Sequence, residues 1–242
     1  MTIKCIAMWS GPRNLSTALM RSFASRRDCS VVDEPFYAAY LFATGVDHPL
    51  REEIIIRYKT DPNLVAKDCI KGVGNRPIEY QKHMTHHMIN QFDLKFLVKL
   101  SNAFLIRSPR KVIKSFSKKL ENFTMLQLGF LQQLRIFEIV RDQIGINPPI
   151  IDADDLTRNP RGGLRALCAA LDIEFYEEML TWQKGPHVYD GIWGEHWYGS
   201  VNKSTRFEMI EDSDVELTRS ERDIERQVLP YFQRMKDFQI TF

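Results

Sequence analysis

The chain has 242 residues, enough for one large domain or two small ones, and its composition is that of a globular protein. A net charge of +2 is too small to indicate a nucleic-acid or membrane-surface binder, so any basic site must be local. Four scattered cysteines argue against a zinc ribbon and a disulfide framework. The lack of a long apolar run argues against a membrane span, and we expect a cytoplasmic protein.

Short apolar segments alternate with helical patterns along most of the chain. The predicted strands are 3–9, 30–34, 78–84, 103–107 and 149–156, and the predicted helices are 16–26, 36–43, 51–59, 62–71, 92–100, a helix from 109, 123–144, 160–171 and 216–236. Strands that alternate with helices predict a parallel, doubly wound α/β sheet. Residues 185–207 are rich in glycine and aromatics and show no clear period. We expect one domain over 1–242, with 185–207 as a C-terminal flap.

In such sheets ligands bind at the carboxyl ends of the strands, and the first strand leads there into "SGPRNLST". Backbone N–H groups at a helix N-terminus favour an anion, and an arginine can donate two parallel hydrogen bonds to an oxyanion. The Gly-Lys ending of a nucleoside-triphosphate loop is missing. A plain turn with a helix cap is the alternative. The candidate anion-binding residues are Gly11, Pro12, Arg13, Asn14, Leu15, Ser16 and Thr17.

A second anion element follows the fourth strand. Arg107 stands at the strand end, and Ser115 follows eight residues later in a helix that begins with Ser108-Pro109. Nearly two helical turns separate Ser108 from Ser115, so Arg107 and Ser115 can converge on one phosphate. The alternative is a strand-end arginine and an incidental helix serine. Two neighbouring anion sites would suit a ligand phosphorylated at both ends.

With these motifs the sequence, over about residues 3–175, resembles the sulfotransferases that use 3′-phosphoadenosine 5′-phosphosulfate. The resemblance implies a P-loop NTPase-like three-layer sandwich with a central parallel sheet flanked by helices. It also implies that the first loop holds the 5′-phosphosulfate, while Arg107 and Ser115 hold the 3′-phosphate. Leu15 stands where the family usually has glycine. More narrowly, "DEPF", "QKHMTHH" and "FLIRSPR" resemble a divergent group sometimes described as aminotransferase-like, although no pattern for a pyridoxal-phosphate lysine is present.

Sulfuryl transfer needs cations on the leaving oxygen and a base for the acceptor proton. Arg13 is the candidate for the first task, and Lys82 is a further donor to the phosphosulfate. Glu34 is the first candidate base, since carbohydrate sulfotransferases use a glutamate in a similar "EP" context. The alternative is that Asp33 or Glu34 caps the helix after Pro35. His83 and His86 are rival bases, because Lys82 matches a K-x-H element of aryl sulfotransferases in which Met84 replaces the histidine. No metal is expected.

The flap carries further candidates for the donor and the acceptor. Trp193, Trp197 or Tyr198 could stack on adenine or on the acceptor, and Lys203, Ser204 and Arg206 could meet a phosphate. The alternative is an irregular loop whose aromatics cover the core.

The sequence therefore predicts a metal-independent sulfotransferase with a small acceptor such as a sugar, a phenol or another alcohol. We expect no nucleic-acid or membrane partner, and the oligomeric state stays open. A P-loop nucleotide kinase or hydrolase and a catalytically degenerate nucleotide-binding module are the alternatives.

Overall fold

The computed structural model describes residues 3–120, 123–209 and 216–242. Its centre is a parallel sheet in the order β2-β3-β1-β4-β5. The strands are β1 (Lys4–Ser10), β2 (Cys29–Asp33), β3 (Ile78–Met84), β4 (Ser101–Ile106) and β5 (Ile150–Asp152). In the register of the sheet, Ser10 at the end of β1 lies opposite Met84 of β3 and Leu105 of β4. The carboxyl ends of the three central strands thus meet at one edge.

Helices cover both faces of this sheet. They are α1 (Ser16–Ala24), α2 (Tyr37–Thr44), α3 (Arg51–Arg57), α4 (Pro62–Lys71), α5 (Pro109–Ser117), α6 (Phe130–Glu138), α7 (Ala153–Arg158), α8 (Pro160–Ala170), α9 (Gly194–Trp197) and α10 (Arg219–Lys236). Short 3₁₀ segments lie between them. No helix in the described part of the chain is long and apolar enough to cross a membrane.

The strand period of two divides the core between the faces of the sheet. Ile6 and Met8 of β1 pack in one buried cluster with residues of α1 and α8, whereas Ala7 and Trp9 pack in another with residues of α6 and α10. Each face of the central strand is therefore covered by its own helical layer. The predicted α/β class with a parallel central sheet and helices on both sides is confirmed.

Two predicted helices differ from the structure. Residues 92–100 form only a 3₁₀ turn over Lys95–Lys99. The predicted helix 123–144, which begins just after residues outside the described ranges, is divided at Gly129, whose φ is +74°. A Cβ at Gly129 would lie 2.5 Å from the Thr85 hydroxyl oxygen, so the close approach of these segments requires glycine. α6 begins directly after this turn.

The predicted fifth strand, 149–156, is shorter in the structure because its second half is helical. The Asp152 side chain accepts hydrogen bonds from the backbone N–H groups of Asp154 and Asp155 and so caps α7. A similar cap sets the start of α10, where the Thr218 hydroxyl accepts from the N–H of Glu221. Residues 210–215 of the preceding segment lie outside the described ranges.

Residues 185–207, here called the late segment, are fixed to α1 by a buried ion pair. The Arg21 guanidinium donates to both carboxylate oxygens of Asp190, with one bond at 2.7 Å, and the side chains are 0% and 7% exposed. Arg21 also donates to the Asn202 side-chain oxygen at 3.3 Å. Near the other end of the segment, the Thr205 carbonyl accepts a hydrogen bond from the backbone N–H of Trp182 at 2.9 Å. The late segment is therefore held at both ends.

Replacing Asp190 tests this anchor. Asp190→Ala leaves the Arg21 guanidinium buried without its carboxylate, and we expect the free energy of unfolding to fall by about 3–5 kcal/mol. Urea unfolding followed by circular dichroism measures it. Asp68→Ala, which removes an exposed ion pair with Lys59, is the matched control and should change stability little. Equal effects of the two substitutions would contradict the assigned role of the buried pair.

Candidate functional site

A cavity of about 740 Å³ lies at the carboxyl edge of the sheet. It is lined by the loops that follow β1, β2, β3 and β4 and by part of the late segment. The predicted site residues on its wall are Pro12, Arg13, Leu15, Ser16, Thr17, Glu34, Lys82, His86, Arg107, Ser115, Ser204 and Arg206. The residues that were predicted from separate motifs thus surround one space. Gly11, Asn14, His83 and Lys203 are not among the residues on this wall.

The loop after β1 has two residues in the left-handed conformation, Arg13 with φ 64° and Leu15 with φ 63°. Glycine usually occupies such positions because it has no Cβ. Leu15 nonetheless adopts this conformation at the N-terminus of α1, and its side chain packs against the core cluster beneath that helix. The loop therefore makes its turn without the glycine that related loops carry.

Gly11 and Asn14 support the loop from beneath. A Cβ on Gly11 would lie 2.5 Å from the Leu128 carbonyl oxygen, so only glycine fits there. The buried Asn14 side chain donates to the Leu105 carbonyl at 3.0 Å and ties the loop to β4. These two residues position the loop, while Arg13, Ser16 and Thr17 lie on the cavity wall.

Two arginines converge at one end of the cavity, here called the basic end. Arg13 Nε donates to Ser115 Oγ at 2.9 Å, and Arg107 Nη1 donates to the Arg13 carbonyl at 2.8 Å. Burial, with the nearby Arg107 charge, lowers the pKa of the Arg13 guanidinium. Side-chain cations that the sequence analysis did not assign also line the cavity: Lys111, Lys114 and Lys118. Their spacing along α5, three or four residues apart, is the signal that could have found them. Such a concentration of positive charge favours an anion.

A buried ammonium organises the other end of the cavity. Lys82 Nζ donates to Asp33 Oδ1 at 2.9 Å, to Glu34 Oε1 at 2.6 Å and to the Tyr198 hydroxyl at 2.6 Å. Burial alone would lower the pKa of Lys82, but the two carboxylates outweigh it and raise that pKa. Burial raises the pKa of Glu34 above its usual value, although Lys82 acts in the opposite direction. Glu34 is therefore a carboxylate of increased basicity at the cavity wall.

The Tyr198 hydroxyl connects this cluster to the late segment. It donates to Asp33 at 2.8 Å and accepts from Lys82 and, at 3.1 Å, from Trp193 Nε1. Asp33 Oδ2 also accepts from the Gly191 N–H at 3.0 Å. From the sequence, Asp33 was considered only as a helix cap and Tyr198 only for stacking. We name these four groups, Asp33, Glu34, Lys82 and Tyr198, the lysine cluster.

The two histidines considered as bases lie in different surroundings. His83 stacks on Trp9 with ring centroids 4.3 Å apart, and its Nε2 lies 3.1 Å from Gln81 Oε1, away from the cavity. His86 lies on the cavity wall, and burial, together with the His48 and Lys82 charges, lowers its pKa to about 3. The structure thus brings only His86 of this pair to the site. In the described ranges, no group of three His, Cys, Asp or Glu side chains is arranged to hold a metal ion.

The aromatics of the late segment are divided between core and cavity. Trp193 is 1% exposed and packs against Tyr37 and Tyr58, so it is not a free stacking surface. Trp197 and Tyr198 lie on the cavity wall.

Comparison with known families gives a match across nearly the whole chain. A family model described as "Sulfotransferase domain" matches residues 3–238. Two solved sulfotransferase structures share the fold at low sequence identity. A sulfotransferase domain from the curacin biosynthetic pathway has a TM-score of 0.52 at 14% identity, over 94% of this chain and 98% of its own. A sulfotransferase from Alicyclobacillus acidocaldarius has a TM-score of 0.52 at 11% identity, over 100% of this chain and 98% of its own. The P-loop NTPase-like fold implied by the resemblance is confirmed.

Curated relatives from Arabidopsis thaliana carry a different name. Branched-chain-amino-acid aminotransferase-like protein 1 is 41% identical over 202 residues, which cover 84% of this chain and 36% of that protein. Branched-chain-amino-acid aminotransferase-like protein 2 is 36% identical over 230 residues, which cover 95% of this chain and 41% of that protein. The chain thus spans about two fifths of the length of these relatives.

The lysine cluster gives a prediction for stability and its pH dependence. Lys82→Met leaves Asp33 and Glu34 buried without their cation, and we expect the protein to lose about 3–5 kcal/mol near neutral pH. Without Lys82 the pKa of Glu34 rises further, so the folded state binds a proton more tightly than the unfolded state does. The loss should therefore shrink as the pH falls. Urea unfolding at pH 8 and pH 5 measures it, with Lys95→Met, an exposed lysine, as the control. A loss that is the same at both pH values would contradict the prediction.

Proposed function

The chain belongs to the sulfotransferase domain family, and we propose that it moves a sulfuryl group from 3′-phosphoadenosine 5′-phosphosulfate to a hydroxyl or amine of a small acceptor, without a metal. One observation carries this proposal. The Arg13–Ser115 and Arg107–Arg13 hydrogen bonds join two anion-binding elements in the same cavity that holds Glu34 and Lys82. A donor with a phosphate at each end and a base for the acceptor fit this arrangement.

The donor would bind along the basic end. Adjacent buried guanidiniums repel each other, and an anion between them stabilises both. The N-terminus of α1, with Ser16 and Thr17, would hold the 5′-phosphosulfate, and Arg107 with Ser115 would hold the 3′-phosphate. The late segment adds Ser204 and Arg206 to the lining of the same cavity. Lys203 lies beside these residues in sequence and stays a candidate for a peripheral contact.

Glu34 would act as the base in an in-line transfer. It takes the proton of the acceptor hydroxyl while the hydroxyl oxygen forms a bond to sulfur. The bond between sulfur and the bridging oxygen breaks, and adenosine 3′,5′-bisphosphate leaves with the electron pair. Arg13 and the loop N–H groups stabilise the charge on the bridging oxygen. Lys82, held by Asp33 and Tyr198, keeps Glu34 in place.

The contacts of the acids near β5 argue against a Mg²⁺-dependent kinase or hydrolase. Asp152 caps α7 and pairs with Lys236 at 2.6 Å. Asp154 pairs with Arg107 at 3.4 Å and with Lys111 at 3.3 Å. These carboxylates already have cationic partners. The left-handed Leu15 supports an intact loop and so argues against a degenerate module.

Arg107→Ala tests the donor site. Loss of a buried charged hydrogen-bond donor costs about 1.5–3 kcal/mol, so affinity for adenosine 3′,5′-bisphosphate should fall by roughly 10- to 150-fold. Affinity for adenosine 5′-monophosphate should fall much less, because that ligand has no 3′-phosphate. Calorimetry measures both. Arg110→Ala, three residues further along in α5 but paired with Glu225 and 51% exposed, is the matched control. An equal loss for both nucleotides would refute the assignment, and no binding of the bisphosphate to the unaltered protein would refute the proposed function.

Glu34→Gln tests the base. The amide cannot take a proton, so we expect turnover to fall by about 10²–10⁴-fold while bisphosphate affinity stays nearly unchanged. In the unaltered protein the rate should rise with pH through a pKa above the usual value of 4.5, since Glu34 acts as the carboxylate. Sulfate transfer from labelled donor to a metabolite extract, followed over pH, provides the assay. If the variant keeps full activity, Glu34 is not the base and His86 becomes the candidate.

A further inference from the structure

A continuous cluster of aromatic rings lines the cavity beside the candidate base. The cluster, here called the ring cluster, consists of Tyr37, Tyr40, His48, His86, His87 and Trp197. Neighbouring ring centroids lie 4.3–6.2 Å apart. Only His86 and Trp197 of this group were assigned a role from the sequence. The other members come from α2, the segment after α2 and the 3₁₀ turn after β3.

His87 fixes the position of this cluster relative to Glu34. Its ring stacks on Tyr37 at 4.6 Å with 9° between the planes, and on Tyr40 at 4.9 Å with 23°. Its Nε2 lies 3.9 Å from Glu34 Oε2. The ring cluster therefore begins at the carboxylate that would take the acceptor proton. A molecule whose hydroxyl reaches Glu34 therefore has these rings beside it as a packing surface.

The ring cluster has polar atoms that no described residue satisfies. The Tyr37 hydroxyl and His48 Nδ1 are hydrogen-bonded to each other at 2.9 Å. In contrast, His86 Nδ1 and His87 Nδ1 are buried and have no hydrogen-bond partner in the described structure, and His87 is 1% exposed. Buried polar nitrogens are normally paired. A second polar group on a bound molecule would supply a partner.

The charge of the ring cluster differs from that of the basic end. Burial lowers the pKa of His48, of His86 and, most strongly, of His87, so these rings are neutral near pH 7. The ammonium of Lys82, whose charge acts on His86 and His87, is already bonded to two carboxylates. An anionic group placed against the rings would lose its hydration without gaining a cation.

Building on the proposed function, we propose that the ring cluster is the acceptor subsite. It selects an uncharged hydroxyl compound with a ring or another flat apolar face and a second hydrogen-bonding group. The face packs on Tyr40 and Trp197, the second polar group bonds to His86 or His87, and the reacting hydroxyl lies at Glu34. Acceptors that carry a carboxylate or a sulfate against the rings are rejected.

Calorimetry with two pairs of matched probes tests this proposal. The full chain is first saturated with adenosine 3′,5′-bisphosphate at pH 7, which reports separately on the donor site. It is then titrated with each member of two pairs. The first pair is neutral 4-hydroxybenzyl alcohol and anionic 4-hydroxybenzoate, and the second is neutral methyl glucoside and anionic methyl glucuronoside. We expect the neutral member of at least one pair to bind about tenfold or more tightly than its anion. Anions that bind as tightly as the neutral probes in both pairs, or neutral probes that fail to bind while the bisphosphate binds, would overturn the inference and leave the proposed function standing.

Two substitutions assign the effect to the ring cluster. Trp197→Ala removes a stacking face. His86→Ala removes an unpaired nitrogen, and because His86 is half-buried and its ring is smaller than that of tryptophan, this substitution disturbs the packing less. Each should weaken the preferred neutral probe by about tenfold and leave bisphosphate affinity unchanged, which also shows that the fold is intact. Phe42→Ala is the control, because Phe42 lies on α2 with Tyr37 and Tyr40 but is 62% exposed. Unchanged binding of the neutral probe in both variants would overturn the assignment.

Discussion

The arrangement of the site depends on one buried ammonium. Lys82 stands near the end of β3 and is bonded to Asp33 and Glu34 after β2 and to Tyr198 of the late segment. A charge in this position is tolerated only because all of its partners are hydrogen-bonded to it or to each other. The same contacts that compensate Lys82 orient Glu34 and hold the late segment against the sheet. The same hydrogen bonds therefore hold the late segment in place and position the candidate base.

The distribution of charge around the cavity divides it into two parts. Arg13, Arg107 and the lysines of α5 make one end strongly positive, whereas the ring cluster at the other end is uncharged at neutral pH. The lysine cluster, whose ammonium is compensated by carboxylates, adjoins the ring cluster where Glu34 lies beside His87. Such a division matches a reaction between a polyanionic donor and a neutral acceptor, which is the reaction that we propose. The charge of each end of the cavity would then direct the two substrates to different ends, in addition to any selection by shape.

Local pattern predicted the features that depend on one strand or one helix. The continuous apolar run of β1 indicates a strand buried on both faces, and the spacing from Arg107 to Ser115 follows from a strand end and the helical pitch. The alternation of side chains along β3 explains why His83 turns away from the cavity while Lys82 lies on its wall. The bond between Lys82 and Tyr198 joins residues 116 positions apart. No local periodicity records such a pairing, so it could not be predicted.

Leu15 shows how the anion-binding loop is connected to the rest of the protein. A glycine at this position would give the loop its turn at little conformational cost but no side-chain packing. Leu15 accepts the left-handed backbone and places its side chain against the cluster formed by β1, α1 and α8. A movement of the loop that displaces Leu15 would therefore remove this side chain from the core cluster. The donor that we propose for this loop would therefore lose affinity when the packing beneath α1 is weakened, even with every charge of the loop in place.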